Sequence, residues 1–189
     1  MFASAAVVLT ACSKGKPEFR GVDISEVEYA RDIPLPDQNG QARSLKDFRG
    51  KVVVVFFGYT QCPDVCPTSL QELVEVKQLL GQDGSKLQPI FVTVDPERDT
   101  PDMLKAYMAN FDPSFVALRG TPEQTAAVAK DFKIYFKKVE GKTPTSYTMD
   151  HSAGSYIYDT QGRLRVYNRY GSGAQALATD VRTLLKESH

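Results

Sequence analysis

Val52-Val53-Val54-Val55-Phe56-Phe57-Gly58-Tyr59-Thr60-Gln61-Cys62-Pro63-Asp64-Val65-Cys66-Pro67 is the stretch that decides the fold. Four valines and two phenylalanines in succession read as a strand buried on both faces, the pattern of a central strand in a parallel sheet. That strand runs over residues 52–59. Beyond the two thiols, Leu70, Leu73, Val74, Val76, Leu79 and Leu80 recur at helical spacing, and Gly81 stops the helix. Pro67 suits the first helical position, where its missing N–H is not needed. This reading places Cys66 beside the N-cap and Cys62 in the preceding loop. Both sulfurs can then point into one pocket at a helix start, where the dipole and free N–H groups stabilise a thiolate.

Working outward, residues 18–47 carry turn signals, Ile33-Pro34-Leu35-Pro36 and Asp37-Gln38-Asn39-Gly40, and are expected to form short strands or a hairpin ahead of the core. Residues 87–94 read as a second buried strand, 95–101 as a turn and helix start, and 102–111 as a helix. A short strand at 115–119 precedes a helix opened by Thr121-Pro122-Glu123 and running to about Phe132. Residues 134–139 read as a strand and 140–148 as a polar loop. A hairpin follows, 155–158 with 164–168 around Asp159-Thr160-Gln161-Gly162, and then a last helix over 174–186. Phe56 and Phe57 read as core, Tyr59 as packing, and Phe132, Tyr135 and Phe136 as core or hairpin packing. The order predicts an α/β, thioredoxin-like fold: a central mixed β-sheet flanked by helices, with an N-terminal hairpin extension.

The chain has 189 residues, 23 of them Lys or Arg and 23 Asp or Glu, so its formal net charge is zero. No basic patch dominates, which argues against a nucleic-acid partner. Length and an apolar content of 42% suit one globular domain. The first residues, Met1-Phe2-Ala3-Ser4-Ala5-Ala6-Val7-Val8-Leu9-Thr10-Ala11, are apolar, small and uncharged. They are too few to cross a bilayer as a helix, which takes about 20 residues, and they resemble the core of a signal peptide. Leu9-Thr10-Ala11-Cys12 resembles a bacterial lipobox, in which the cysteine is lipidated. The expected organisation is a lipoprotein signal peptide over 1–11, a tether over 12–17 and the domain over 18–189. The expected location is the bacterial cell envelope, lipid-anchored and facing the periplasm. Of three cysteines, Cys12 is then consumed by lipid, leaving Cys62 and Cys66 in an oxidising compartment. A disulfide between them would close a very small loop and stabilise little, so a purely structural staple is the weaker reading.

Three stretches carry a family resemblance. Gly58-Tyr59-Thr60-Gln61-Cys62-Pro63-Asp64-Val65-Cys66-Pro67-Thr68 is similar to the signature of the Sco/SenC family. Val92-Thr93-Val94-Asp95-Pro96-Glu97-Arg98-Asp99-Thr100-Pro101 resembles its second motif, and Met149-Asp150-His151-Ser152 its third. The resemblance runs over most of the chain from Phe19 onward. It implies a membrane-anchored, thioredoxin-fold copper-binding protein that helps assemble cytochrome c oxidase. It also implies that Cys62, Cys66 and His151 ligate copper.

The chemistry of the residues points the same way. Two thiolates and an imidazole form a soft, low-coordinate set suited to copper, as Cu(I) or Cu(II), one ion per chain. Zinc is the rival, but structural zinc sites usually have four protein ligands, and a fourth here would have to be a carboxylate such as Asp64, Asp95 or Asp150. Asp64 either tunes the charge at the thiols or faces solvent. Asp95 should lie at the sheet edge where sites gather in α/β folds. Asp150 neighbours His151, but adjacent residues of an extended segment point opposite ways. A lone histidine in a loop is as readily a surface residue as a ligand.

Two function classes remain. One is copper binding and delivery without turnover. The alternative is a periplasmic thiol–disulfide oxidoreductase or peroxidase-like enzyme, with Cys62 and Cys66 as its redox pair. His151 discriminates, since a plain dithiol reductase does not need it. The expected partners are the copper-bearing subunit of cytochrome c oxidase, another periplasmic copper chaperone or thiol reductase, and the membrane through the lipid anchor.

Overall fold

The computed structural model describes residues 17–143 and 146–187. Residues 1–11, expected to be a leader, Cys12 and the C-terminal His189 lie outside the described residues. In chain order the strands and helices are β1 (Val22–Asp23), β2 (Leu35–Pro36), β3 (Ala42–Arg43), β4 (Val52–Gly58), α1 (Val65–Leu80), β5 (Leu87–Thr93), α2 (Pro101–Ala109), β6 (Val116–Leu118), α3 (Pro122–Asp131), β7 (Phe136–Val139), β8 (Thr148–His151), β9 (Ser155–Tyr158), β10 (Leu164–Asn168) and α4 (Ala174–Lys186).

Six strands form one mixed sheet in the order β1-β10-β9-β4-β5-β6. The all-apolar strand β4 lies inside it, parallel to β5 and antiparallel to β9. Every residue of β4 and β5 is buried, which is why β4 is apolar throughout and β5 is apolar apart from Gln88 and Thr93. Successive side chains of β4 leave on opposite faces. Phe56 packs toward Phe91 and His151, and Phe57 toward Phe132 at the end of α3. Thr100 and Thr121 cap α2 and α3 with their hydroxyls, and Pro101 and Pro122 stand in the first turn of each helix. The N-terminal hairpin β2–β3 seats on β6: Asp37 bridges to Leu118, and Arg119 N–H donates to Pro36 O at 3.0 Å. It thereby covers an edge strand that would otherwise be open.

Three local readings change. Helix α1 begins at Val65 with Asp64 as N-cap, so Pro67 occupies the third helical position and not the first. The chain tolerates this because no N–H from the N-cap through the third helical position has an intrahelical partner; the first such bond runs from Thr68 N–H to Asp64 O. The polar run before His151 is not all loop: β7 and β8 pair antiparallel as a separate hairpin, with Phe136 opposite His151. Within Thr148-Met149-Asp150-His151, Thr148 favours a strand and Asp150 opposes one, so pairing with β7 decides the conformation. Tyr135, expected to pack, is 59% exposed.

Candidate metal centre

The site forms where the C-terminal end of β4 meets the start of α1 and the end of β8. Cys62 lies in the intervening loop, half-buried, with its N–H donating to Tyr59 O at 3.3 Å. Cys66 is the second residue of α1 and fully buried. Both are free thiols. His151, half-buried, arrives from 85 residues further along the chain. Cys62 Sγ, Cys66 Sγ and a ring nitrogen of His151 lie within 4.8 Å of one another. Cys66 Sγ and His151 Nε2 stand 3.6 Å apart.

The surroundings fix each donor. His151 Nδ1 lies 2.9 Å from Ser152 O. A carbonyl only accepts, so Nδ1 carries the proton and Nε2 keeps its lone pair facing the thiols. Burial lowers the pKa of His151 from 6.5, so the ring is neutral at neutral pH. Phe56 and Tyr59 make T-shaped contacts with the ring at centroid distances of 6.3 and 5.9 Å and hold its plane. Burial, reinforced by a hydrogen bond with Cys62, pushes the Cys66 thiol well above the ordinary thiol range. The expected helix-start stabilisation goes elsewhere: Cys66 N–H points at Cys62 Sγ, at 3.4 Å, so Cys62 and not Cys66 receives the amide. Gly58 makes room for the inner thiol. A Cβ there would stand 2.8 Å from both Cys66 Sγ and Phe91 Cε2, so only glycine lets the sulfur approach the strand.

These donors suit a soft metal ion. Bonds of about 2.0 to 2.3 Å from one ion span separations such as that between Cys66 and His151. No carboxylate joins this group among the described residues. Asp64 is exposed, its carboxylate 3.4 Å from the Thr68 hydroxyl. Asp150 is exposed and opposes Lys137 across the hairpin. Asp95 is buried but turns toward Arg98 and the Tyr147 hydroxyl, which donates to it at 2.9 Å.

The SCO1/SenC family model matches residues 24–186, most of the chain. The chain belongs to the SCO1/SenC family. The SCO2-like protein of Rickettsia felis is 37% identical over 151 residues, covering 78% of this chain and 74% of that protein. The structure of Bradyrhizobium japonicum ScoI with copper bound is 44% identical, with a TM-score of 0.72 over 80% of this chain and 96% of that one. The solution structure of apo Sco1 from Thermus thermophilus is 34% identical, with a TM-score of 0.78 over 88% and 97%. The thioredoxin-like fold of Sco proteins is thus the fold of this chain.

Sequence reasoning read residues 95–101 of this SCO1/SenC chain as a turn and helix start and missed most of their contacts. Asp99 is fully buried and accepts from Thr60 N–H at 3.1 Å and from the Thr60 hydroxyl at 2.6 Å. It also accepts from the Thr93 hydroxyl. It therefore ties the segment just before Cys62 to the end of β5. Burial raises its pKa and these hydrogen bonds oppose the rise. The available signal was an acidic residue in a loop after a buried strand, with Thr93 ending that strand and Thr60 two residues past the end of β4.

Proposed function

We propose that this chain is a copper carrier that binds one copper ion through Cys62, Cys66 and His151 and delivers it to the copper centre of cytochrome c oxidase. The observation that carries the reading is the convergence of two thiols and a neutral imidazole at one sheet edge. A copper-bound relative at 44% identity supports the choice of metal, and the family resemblance supports the destination. Copper here is cargo, so a three-donor site suits it: ligand exchange with an acceptor needs a coordination position that the carrier does not fill. Cys66 must lose its proton as metal enters, so uptake releases acid and affinity rises with pH. The thiol–disulfide alternative accounts for the cysteine pair but gives no role to an imidazole whose free nitrogen is aimed at Cys66.

Titrating Cu(I) and Cu(II) into the reduced protein tests the reading. One tightly held copper per chain is expected; absence of stoichiometric uptake in both oxidation states overturns it.

The proposed location is the bacterial cell envelope, with the domain held at the periplasmic face by lipid on Cys12. Leu9-Thr10-Ala11-Cys12 supports this, with residues 1–11 as the leader and 12–17 as the tether. Among the described residues no helix is long and apolar enough to cross a membrane. A Cys12→Ser variant should lose its lipid mass and move to the soluble fraction. Membrane fractionation identical to the wild type would place the anchor elsewhere.

A further inference from the structure

The two halves of the site are held by different pieces of the chain. The thiols sit on the β4–α1 segment of the main sheet, and His151 ends a separate two-stranded hairpin. A lone hairpin is at best marginally stable and does not by itself hold a position. A metal site needs its donors fixed to within about 0.5 Å. Something must therefore bind the hairpin to the dithiol loop.

Arg98, in the loop between β5 and α2, touches both. One terminal nitrogen, Nη1, donates to Tyr147 O at 2.8 Å and to Gln61 Oε1 at 3.2 Å. Gln61 directly precedes Cys62, and Tyr147 stands at the entry to β8, the strand that ends in His151. The guanidinium sits over the hairpin's Tyr147 ring, its carbon 3.5 Å from the ring centroid, and 5.8 Å from that of Tyr59. Its Nε donates to buried Asp95, which in turn accepts from the Tyr147 hydroxyl. Neighbouring Asp99 fixes the same loop to Thr60. The loop is thus keyed to the thiol side through Thr60 and Gln61 and to the histidine side through Tyr147. Only a rigid planar fork reaches Asp95, Gln61 and Tyr147 together, so lysine is no equivalent here.

We infer that Arg98 is a positioning residue of the metal site, the bracket that sets His151 at bonding distance from Cys62 and Cys66. It touches no metal itself. Its removal should cost the histidine's share of binding and spare that of the thiols.

The inference rests on the copper reading for its titration arm, and hydrogen exchange on the metal-free protein judges it independently. Cu(II) and Cu(I) are titrated into wild type, Arg98→Met, Arg98→Lys, His151→Ala and the double variant Arg98→Met/His151→Ala. Removing a partner that orients a ligand costs about 10- to 100-fold in metal affinity. Arg98→Met should lose that much for Cu(II), lose the imidazole nitrogen coupling in the Cu(II) electron paramagnetic resonance spectrum, and still take up one Cu(I). In the His151→Ala background it should cost nothing further, since the two act as one unit. A wild-type nitrogen signal in Arg98→Met, or an equal loss with and without His151, overturns the inference. If Arg98→Met does not fold, Arg98→Lys decides: intermediate loss supports the bracket and wild-type behaviour overturns it. In the metal-free protein, amide exchange over β7 and β8 should quicken on the order of tenfold in whichever variant folds, with β4 and β5 unchanged. An unchanged hairpin rate overturns the inference even if the wild type proves to bind no copper.

Discussion

Cys66→Ala is expected to abolish tight copper binding and to leave the fold standing. The thiol is fully buried, 3.6 Å from His151 Nε2. Cysteine and alanine differ by one heavy atom. Deleting a buried group that small costs on the order of 1 kcal/mol, well inside the stability of an ordinary domain. Binding suffers far more. Loss of an outer partner costs roughly 10- to 100-fold in metal affinity, and loss of a directly bonded thiolate must exceed that. Cys62→Ala should lose binding as completely with less effect on stability, because Cys62 is half-exposed. Competition titration with a Cu(I) chelator, beside thermal unfolding of the same samples, separates the two effects. If Cys66→Ala still holds one copper per chain, the three-donor site is wrong.

The wild type should also bind copper more tightly as pH rises. Burial keeps the Cys66 proton on through neutral pH, so metal and proton compete for the same sulfur. Cys66→Ala removes that competition, and the pH slope of whatever weak binding survives should flatten.

The parts of the molecule that read out of the sequence are those fixed by local pattern. The apolar run of β4, the helical spacing of α1 and the turn at residues 159–162 specify their own conformations, so strand, helix and hairpin fall where expected. The helix start does not read out, because Pro67 is tolerated anywhere in the first turn and cannot choose between the first and third positions. The strand bearing His151 does not read out either. Met149 is buried and its neighbours Thr148 and Asp150 are exposed, but in four mostly polar residues that alternation is too short to signal a strand. The three donors were legible as residue types because cysteine and histidine are so scarce here. Arg98 and Asp99 were not, because a charged pair before Thr100-Pro101 reads as a solvated turn. Their roles come from contacts with residues 37 and more positions away, which no local pattern carries.

His151→Ala should divide the two readings of the thiol pair. The imidazole contributes one neutral nitrogen and leaves both sulfurs in place, so Cu(I), which the thiolates satisfy, should still bind. Cu(II), which needs the harder nitrogen, should bind more weakly by over tenfold, as loss of a direct ligand exceeds loss of an outer partner. The pH dependence sharpens the test. In the wild type, burial lowers the pKa of His151 from 6.5, so Nε2 stays free of protons at neutral pH and is protonated only on acidification below 6.5. Cu(II) affinity in the wild type should fall with acid through that window, and the variant should lack this component. In cells, oxidase activity under limiting copper should drop in His151→Ala and recover partly with added copper, since mass action offsets weakened binding. Dithiol reactivity toward an exogenous disulfide should survive, because neither sulfur has changed. The decisive comparison is oxidase activity against dithiol-reductase activity in this one variant. Full oxidase assembly at limiting copper in His151→Ala, with assembly lost in Cys62→Ala, would mean that the thiols act by electron transfer to the partner's cysteines and that copper carriage is not this chain's task.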